Sequence, residues 1–271
     1  MNSSIAIVTT LINNDLYKKS SQLFPKNIPK YVIEGRNEMF GIDSICFMME
    51  KLKGKGIEWL IMADEDVLFI NPNGIYTIID YMKANDFILS GVRDGGQIPN
   101  RTYSPYLINT FFSIINFKKL EAIWRKKEVL RNQYILENEF QDDLSKLKEE
   151  YDVMSLYEPY YCFYFWLKRK GEKLFFLDAI KPFDDDEKTT LIYDTIGNEL
   201  LYHTWYARVY GNNEKHTKRI DKIFSILEFK NNEDLHYTYF KDKTFYLRRR
   251  LKKLLLRIEM RINKSFSFQK K

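Results

Sequence analysis

The sequence predicts an α/β fold built on a doubly wound, mostly parallel sheet, and three features of its first 70 residues point there. Short runs rich in β-branched residues recur at 5–8 (Ile-Ala-Ile-Val), 30–34 (Lys-Tyr-Val-Ile-Glu) and 57–63 (Ile-Glu-Trp-Leu-Ile-Met-Ala). Each has strand length. Residues 14–23 and 41–52, which lie between them, suit helices, and parallel neighbours require such crossovers. The runs also end on polar residues: Thr9 and Thr10, Glu34, and Asp64. Ligands of open parallel sheets sit at the strands' carboxyl ends, so these residues are candidates for one shared crevice.

Asn71-Pro72 supplies an N-cap and a first-turn proline, which predicts a helix over 73–84. Residues 87–92 return as a strand into the turn at Gly95-Gly96, and 108–116 (Ile-Asn-Thr-Phe-Phe-Ser-Ile-Ile-Asn) form another strand, with a helix over 118–124. The highly charged stretch 125–155 reads as helical. Glu158-Pro159 opens a helix over 160–170 that Gly171 ends, and 174–177 (Leu-Phe-Phe-Leu) follow as a strand. Residues 215–229 read as a further helix. These elements place one catalytic domain over 1–230 and a basic tail over 231–271.

A chain of 271 residues with 45% hydrophobic side chains, including 20 Phe, 19 Tyr and 4 Trp, can build one large core, which excludes wholesale disorder. The net charge of +6 is concentrated rather than spread: residues 248–271 hold ten bases and one acid, Glu259, so the stretch carries +9 and the remainder −3. An acidic partner is expected near the tail. Cys46 and Cys162 lie in apolar helical segments without a CxxC partner, which suits a reducing, cytoplasmic compartment. The first residues lack the pattern of a signal peptide, and no run has the apolar length to span a bilayer.

The sharpest chemical signal is Asp64-Glu65-Asp66, set between the apolar runs 59–62 and 67–70. Carboxylates crowded at the end of a buried strand repel one another and resist desolvation, and a divalent cation relieves both. Magnesium or manganese suits such oxygen ligands and can bridge a diphosphate. The alternative is a solvated acidic turn. A rival cluster, Asp184-Asp-Asp-Glu187, follows no buried strand and reads as a solvated loop, while Asp142-Asp143 is expected in a charged helix.

The segment 59–67 (Trp-Leu-Ile-Met-Ala-Asp-Glu-Asp-Val), preceded by two strand-helix units and followed by Asn71-Pro72, resembles the GT-A family of nucleotide-diphosphate-sugar glycosyltransferases, of the bacterial surface-polysaccharide type. Residues 108–120 look like that family's strand facing the acceptor, and 157–177 like its acidic helix start, amphipathic helix, glycine and final strand. The resemblance implies a GT-A-like fold, a nucleotide-sugar donor and a divalent metal, with Asp64 near the donor ribose and metal and Asp66 coordinating the metal. It further places Thr9, Glu34 and Arg36 near the nucleotide, although Thr9 could merely end a strand and Glu34 and Arg36 could form a surface ion pair. A late histidine completes the metal shell in many such enzymes. His203 is the candidate, since a neutral imidazole suits a manganese-like ion, and Arg208 is the matching cation for the leaving phosphate. Packing of His203 among the neighbouring aromatics is the alternative.

Glu158 is the candidate base for the acceptor hydroxyl, with a plain helix cap as its alternative, because Pro159 stands where the family's second acid would be. Two other classes compete: a metal-dependent phosphoryl-transfer enzyme using Asp64 and Asp66, and a nucleic-acid-binding protein led by its basic tail. No phosphate-cradling glycine loop is evident for the first, and the aromatics needed for the second are spread through core segments, so no nucleic acid is expected. In residues 245–263, Leu247, Leu251, Leu254, Leu255, Ile258 and Ile262 recur at helical spacing among Arg248, Arg249, Lys252, Lys253 and Arg257. The pattern predicts a basic amphipathic helix on an anionic membrane surface, peripheral on the inner face of the cell membrane, serving a lipid-linked glycan acceptor. Packing on the domain, or on a second subunit of a homo-oligomer, is the alternative.

Overall fold

The chain was described from a computed structural model, which covers residues 4–227, 229 and 235–268, with side chains of the last helix described to 255 and at 257. In chain order the elements are β1 (Ile5–Leu11), α1 (Asn14–Ser20), β2 (Lys30–Glu34), α2 (Ile42–Leu52), β3 (Trp59–Ala63), β4 (Val67–Phe69), α3 (Gly74–Asn85), β5 (Phe87–Arg93), β6 (Ile108–Asn116) and α4 (Phe117–Ile123). There follow α5 (Lys126–Leu130), α6 (Tyr161–Arg169), β7 (Lys173–Phe176), β8 (Ala179–Ile180), β9 (Thr190–Tyr193), β10 (Glu199–His203), a 3-10 turn (Ala207–Val209), α7 (Glu214–Ile226), β11 (Thr238–Phe240) and α8 (Phe245–Phe268).

Seven strands form the central sheet in the order β11, β2, β1, β3, β6, β5, β7. β1 pairs parallel with β2 and β3, β2 with β11, and β5 with β7, while β6 runs antiparallel between β3 and β5. The architecture is of the expected class: α/β, with a mostly parallel sheet between helices. Alternation along the strands explains the layering, because successive side chains leave a strand on opposite faces. Ala6, Val8 and Leu60 pack with α2 and α6 on one side. Ile7, Trp59 and Ile61 pack with Tyr17 of α1 and Ile75, Ile78, Ile79 and Met82 of α3 on the other. Helix α6 is buried throughout Tyr161–Leu167, so it is a core helix rather than a surface one.

A second, four-stranded sheet lies outside what the sequence pattern predicts. Its order is β4, β10, β9, β8, all antiparallel. The apolar run after the acidic motif is therefore strand β4, and the segment around His203 is its partner.

Several expectations need correction. Residues 125–155 are not a long helix; only α5 is helical, and the rest is loop held by ion pairs to distant residues. Asp142, expected on a helix, sits in that loop between Lys168 at 2.5 Å and Arg93 at 3.5 Å. The cap of α3 is Asn73, two residues later than expected, and Asn71 accepts from the Asn73 N–H at 3.2 Å. Within the acidic stretch 184–187, Asp186 is buried rather than solvated, accepting from Thr189 and lying 3.4 Å from Arg219. The sheet also takes β11 from beyond residue 231, so it does not end at the expected 230/231 boundary, and residues 230–234 lie outside the described ones. Both cysteines are free and buried, and burial pushes the Cys46 thiol up to about 11 and the Cys162 thiol up to about 12, which leaves them poor nucleophiles.

Candidate active site

Strand β3 delivers the acidic motif. Its backbone stays in register with β6 past its end, through the Asp64 N–H to Phe111 C=O bond of 2.8 Å, and the chain then turns, with Val67 N–H donating to Asp64 C=O at 3.1 Å. The three carboxyls diverge at this turn. Glu65, 3% exposed, points back and accepts from the backbone N–H groups of Ile12 (3.0 Å) and Asn13 (2.9 Å), tying the β1–α1 turn to the motif. Burial, reinforced by Asp66, pushes its carboxyl up to about 7. Asp64 faces the crevice, and burial followed by the charges of Asp66 and Glu65 pushes its carboxyl well above the usual range, against a smaller pull from Arg208. Burial also opposes the charge on Asp66, but His203 and the Ala207 N–H outweigh it and hold this carboxyl below its ordinary value.

The small sheet brings His203 to the motif. β10 lies antiparallel to β4 with His203 opposite Val67, and the Thr204 N–H and hydroxyl both donate to the Asp66 carbonyl, at 3.0 and 3.2 Å. His203 Nε2 then lies 3.4 Å from Asp66 Oδ1. Its ring stacks on Phe111 with centroids 3.8 Å apart and lies 4.3 Å from Trp205, while its buried Nδ1 has no hydrogen-bond partner. Packing among aromatics and proximity to the acidic motif thus hold together, not as alternatives. Among the described residues, no three His, Cys, Asp or Glu side chains are gathered as a ready-made metal cage.

Beyond His203 the chain makes a costly turn. Trp205 and Tyr206 have φ of 56° and 66°, a left-handed conformation that costs a non-glycine residue about 1–3 kcal/mol. Arg219 holds the Trp205 carbonyl at 3.1 Å, and Tyr206 stacks on His216 at 4.0 Å. The turn carries exposed Arg208 to the crevice, with its guanidinium 4.9 Å from the Phe40 ring.

A buried polar cluster forms another wall. Asp94, 0% exposed at the end of β5, accepts from Arg101 Nε (2.6 Å) and Nη2 (2.8 Å), Asn109 (2.6 Å), and the hydroxyls of Tyr160 (3.2 Å) and Tyr161 (2.5 Å). Arg101 Nη2 also reaches Glu158 Oε1 at 3.0 Å, so a buried carboxylate positions the arginine that positions the glutamate. The cap residue of α6 is Tyr160, which makes no side-chain cap bond, and the Glu158 carboxylate faces Arg101.

Asp64, Asp66, His203, Arg208, Arg101 and Glu158 all line one crevice of about 530 Å³. Thr9, Glu34 and Arg36 do not line it. Thr9 is 1% exposed in β1, and its neighbour Thr10 lines the crevice instead. Glu34, 3% exposed, is gripped by Arg36 Nε at 2.7 Å and Nη2 at 2.8 Å and accepts from the Tyr239 hydroxyl; the arginine first and then the tyrosine hold its carboxyl down to about 2, against burial. The pair is the ion pair that the sequence offered as an alternative, reinforced by β11. Arg101, Phe40 and Trp205 line the crevice without a sequence signal for it, and so does Arg249, which the sequence pattern assigns to the basic tail. Arg101 and Phe40 reach it through loops and Arg249 from a distant helix, whereas Trp205 is a chain neighbour of His203.

No family model matches the chain, and no curated protein matches it. Solved structures similar to it include a mannosyltransferase from Pyrobaculum calidifontis in complex with GDP-Man and Mn2+, at 7% identity and a TM-score of 0.34, over 45% of this chain and 47% of that one. The chain therefore spans less than half the length of that protein. A glycosyltransferase involved in the glycosylation of the major capsid of PBCV-1 is similar at 21% identity and a TM-score of 0.32, over 47% of this chain and 67% of the other. A cytidylyltransferase from Leptospira borgpetersenii is similar at 13% identity and a TM-score of 0.38, over 87% and 100%. Likeness at these scores carries no argument about chemistry, which rests on the residues themselves.

Proposed function

We propose that this crevice binds a nucleotide-diphosphate sugar and transfers the sugar to a hydroxyl of a glycan acceptor. The observation that carries the reading is that Asp64, Asp66 and His203, delivered by two different sheets, line one crevice with Arg208 and the Arg101–Glu158 pair. Two carboxylates and an imidazole suit Mn2+ or Mg2+, and the mutual repulsion of the acids, with His203 Nε2 3.4 Å from Asp66 Oδ1, fits a site built for a cation. Asp64, Asp66 and His203 would hold the ion, which when bound supplies charge neutralisation to the diphosphate.

The chain's own groups do the rest. Arg208 offers an exposed guanidinium to the leaving phosphate. Glu158 accepts the proton of the acceptor hydroxyl, the role an inverting transfer requires, and Arg101 aims its carboxylate. Glu65 keeps the β1–α1 turn beside the motif and takes no part in the chemistry.

The acceptor in this reading is lipid-linked, and α8 lies on the anionic inner face of a cell membrane, as in bacterial envelope polysaccharide assembly. Leu247, Leu251, Leu254 and Leu255 are 51–65% exposed, so the described part of the stripe is turned away from the domain; the side chains of Ile258 and Ile262 lie outside the described residues. An apolar stripe flanked by cations matches an anionic lipid surface, each cation near it contributing on the order of 1 kcal/mol. No described helix is long and apolar enough to cross a membrane. The deciding experiment is donor hydrolysis and transfer across a panel of nucleotide sugars, with and without Mn2+. Absence of turnover with every donor would refute the reading.

A further inference from the structure

One rim of the crevice is the segment between β2 and α2, from which Phe40 and Gly41 line it. Glu38 in this segment has a φ of 70°, a left-handed conformation that a non-glycine residue keeps only when its surroundings hold it. Here the holder is the C-terminal helix. Arg249 Nη1 donates to the Glu38 carbonyl at 2.6 Å, its Nε lies 3.2 Å from the Glu38 carboxylate, and Nη1 also reaches Asp43 at 3.3 Å. Lys253, one turn further on, adds a second cation 3.2 Å from the same carboxylate, and Asn37 donates to the Asp242 carbonyl at 3.2 Å. Phe40 is left between two guanidiniums, 4.9 Å from Arg208 and 5.5 Å from Arg249.

The helix thus has two working sides. Positions 249 and 253 share one face, and 247, 251, 254 and 255 lie roughly opposite at 3.6 residues per turn, in line with the exposure of those four leucines. The polar side is the one joined to the domain.

We infer that Arg249 is a positioning residue for the crevice: from the C-terminal helix it fixes the strained Glu38 segment and so holds Phe40 beside Arg208, where the donor's phosphates would bind. The inference rests on the proposed function only for what the crevice binds. The joint itself is tested without any donor.

Hydrogen exchange on the full-length protein should show the amides of residues 36–43 opening about tenfold faster in Arg249→Ala than in the parent, with Arg249→Lys intermediate because an ammonium restores the carboxylate contact alone. With a donor that turns over, Arg249→Ala should raise the donor KM about tenfold while kcat stays within about twofold. Sedimentation with anionic vesicles should be the same in the parent and both variants, because the leucine face is untouched. Unchanged exchange at 36–43 in Arg249→Ala would overturn the joint. Faster exchange with an unchanged donor KM would overturn the positioning role. A parent inactive with every nucleotide sugar would sink the proposed function, while the exchange result would still decide the joint.

Discussion

Asp94→Asn is the substitution whose effect follows most directly from the geometry. Five donor groups converge on the two oxygens of a fully buried carboxylate, two of them from Arg101, whose side chain is itself only 13% exposed. An amide keeps one acceptor oxygen and turns an NH2 toward donors, so the arginine charge is left buried without its main partner. Breaking a buried pair in this way costs about 3–5 kcal/mol. For a domain of this size that lowers Tm by about 10 °C. Urea unfolding followed by tryptophan fluorescence would measure the loss, and the double variant Asp94→Asn/Arg101→Gln should lose less than the sum of the singles by about 1 kcal/mol or more. Arg101 also aims Glu158, so transfer to acceptor should fall further than donor hydrolysis. An Asp94→Asn protein within about 1 kcal/mol of the parent, or strictly additive singles, would refute the account of this cluster.

Asp66→Asn preserves volume while removing a ligand charge, so Mn2+-stimulated turnover should fall about a hundredfold and excess chelator should do the same to the parent; full activity in either case would remove the metal role. Glu158→Gln should abolish transfer while leaving donor affinity, read by calorimetry, nearly intact. Glu34 has a folded carboxyl value of about 2 against an ordinary 4.5, so its contribution is present above pH 4.5 and is lost as pH falls toward 2. Because Arg36 is 55% exposed, that contribution is only about 1–2 kcal/mol after screening, and the stability gap between the parent and Glu34→Gln should close between pH 5 and pH 2. Leu251→Glu with Leu254→Glu should release the full chain from anionic vesicles; equal binding by parent and variant would make α8 a packing or dimerisation element.

What was legible in the sequence was what local pattern dictates. β1, β2 and β3 are short apolar runs, β1 and β3 buried on both faces, and the acidic motif is conspicuous because it interrupts such a run. The small sheet was not legible, because β8 and β9 are two and four residues long and join β4 only through β10, which follows them. The stretch 125–155 misled for an electrostatic reason. Its acids look like material for helical i,i+4 pairs, yet Glu139 pairs with Arg169 and Asp142 with Lys168, about 26–30 residues away in sequence. The site divided in the same way: residues at the end of a recognisable strand were found, whereas Arg101, Phe40 and Arg249 needed the tertiary fold.

The pairing of β11 with β2 has a consequence for how this protein is made. Tyr239 of β11 and Glu34 of β2, joined across that edge, are 205 residues apart, and without β11 the sheet would end at β2. During synthesis, β2 therefore emerges early as an unprotected edge with free backbone donors and acceptors, and at common elongation rates its partner leaves the ribosome on the order of tens of seconds later. Through that interval the nascent chain carries a hydrogen-bonding template open to other nascent chains, and closure waits on a contact of very long sequence separation, the slowest kind to form. Truncation before residue 238 would make the interval permanent, so shortened forms should aggregate on expression rather than accumulate as soluble cores.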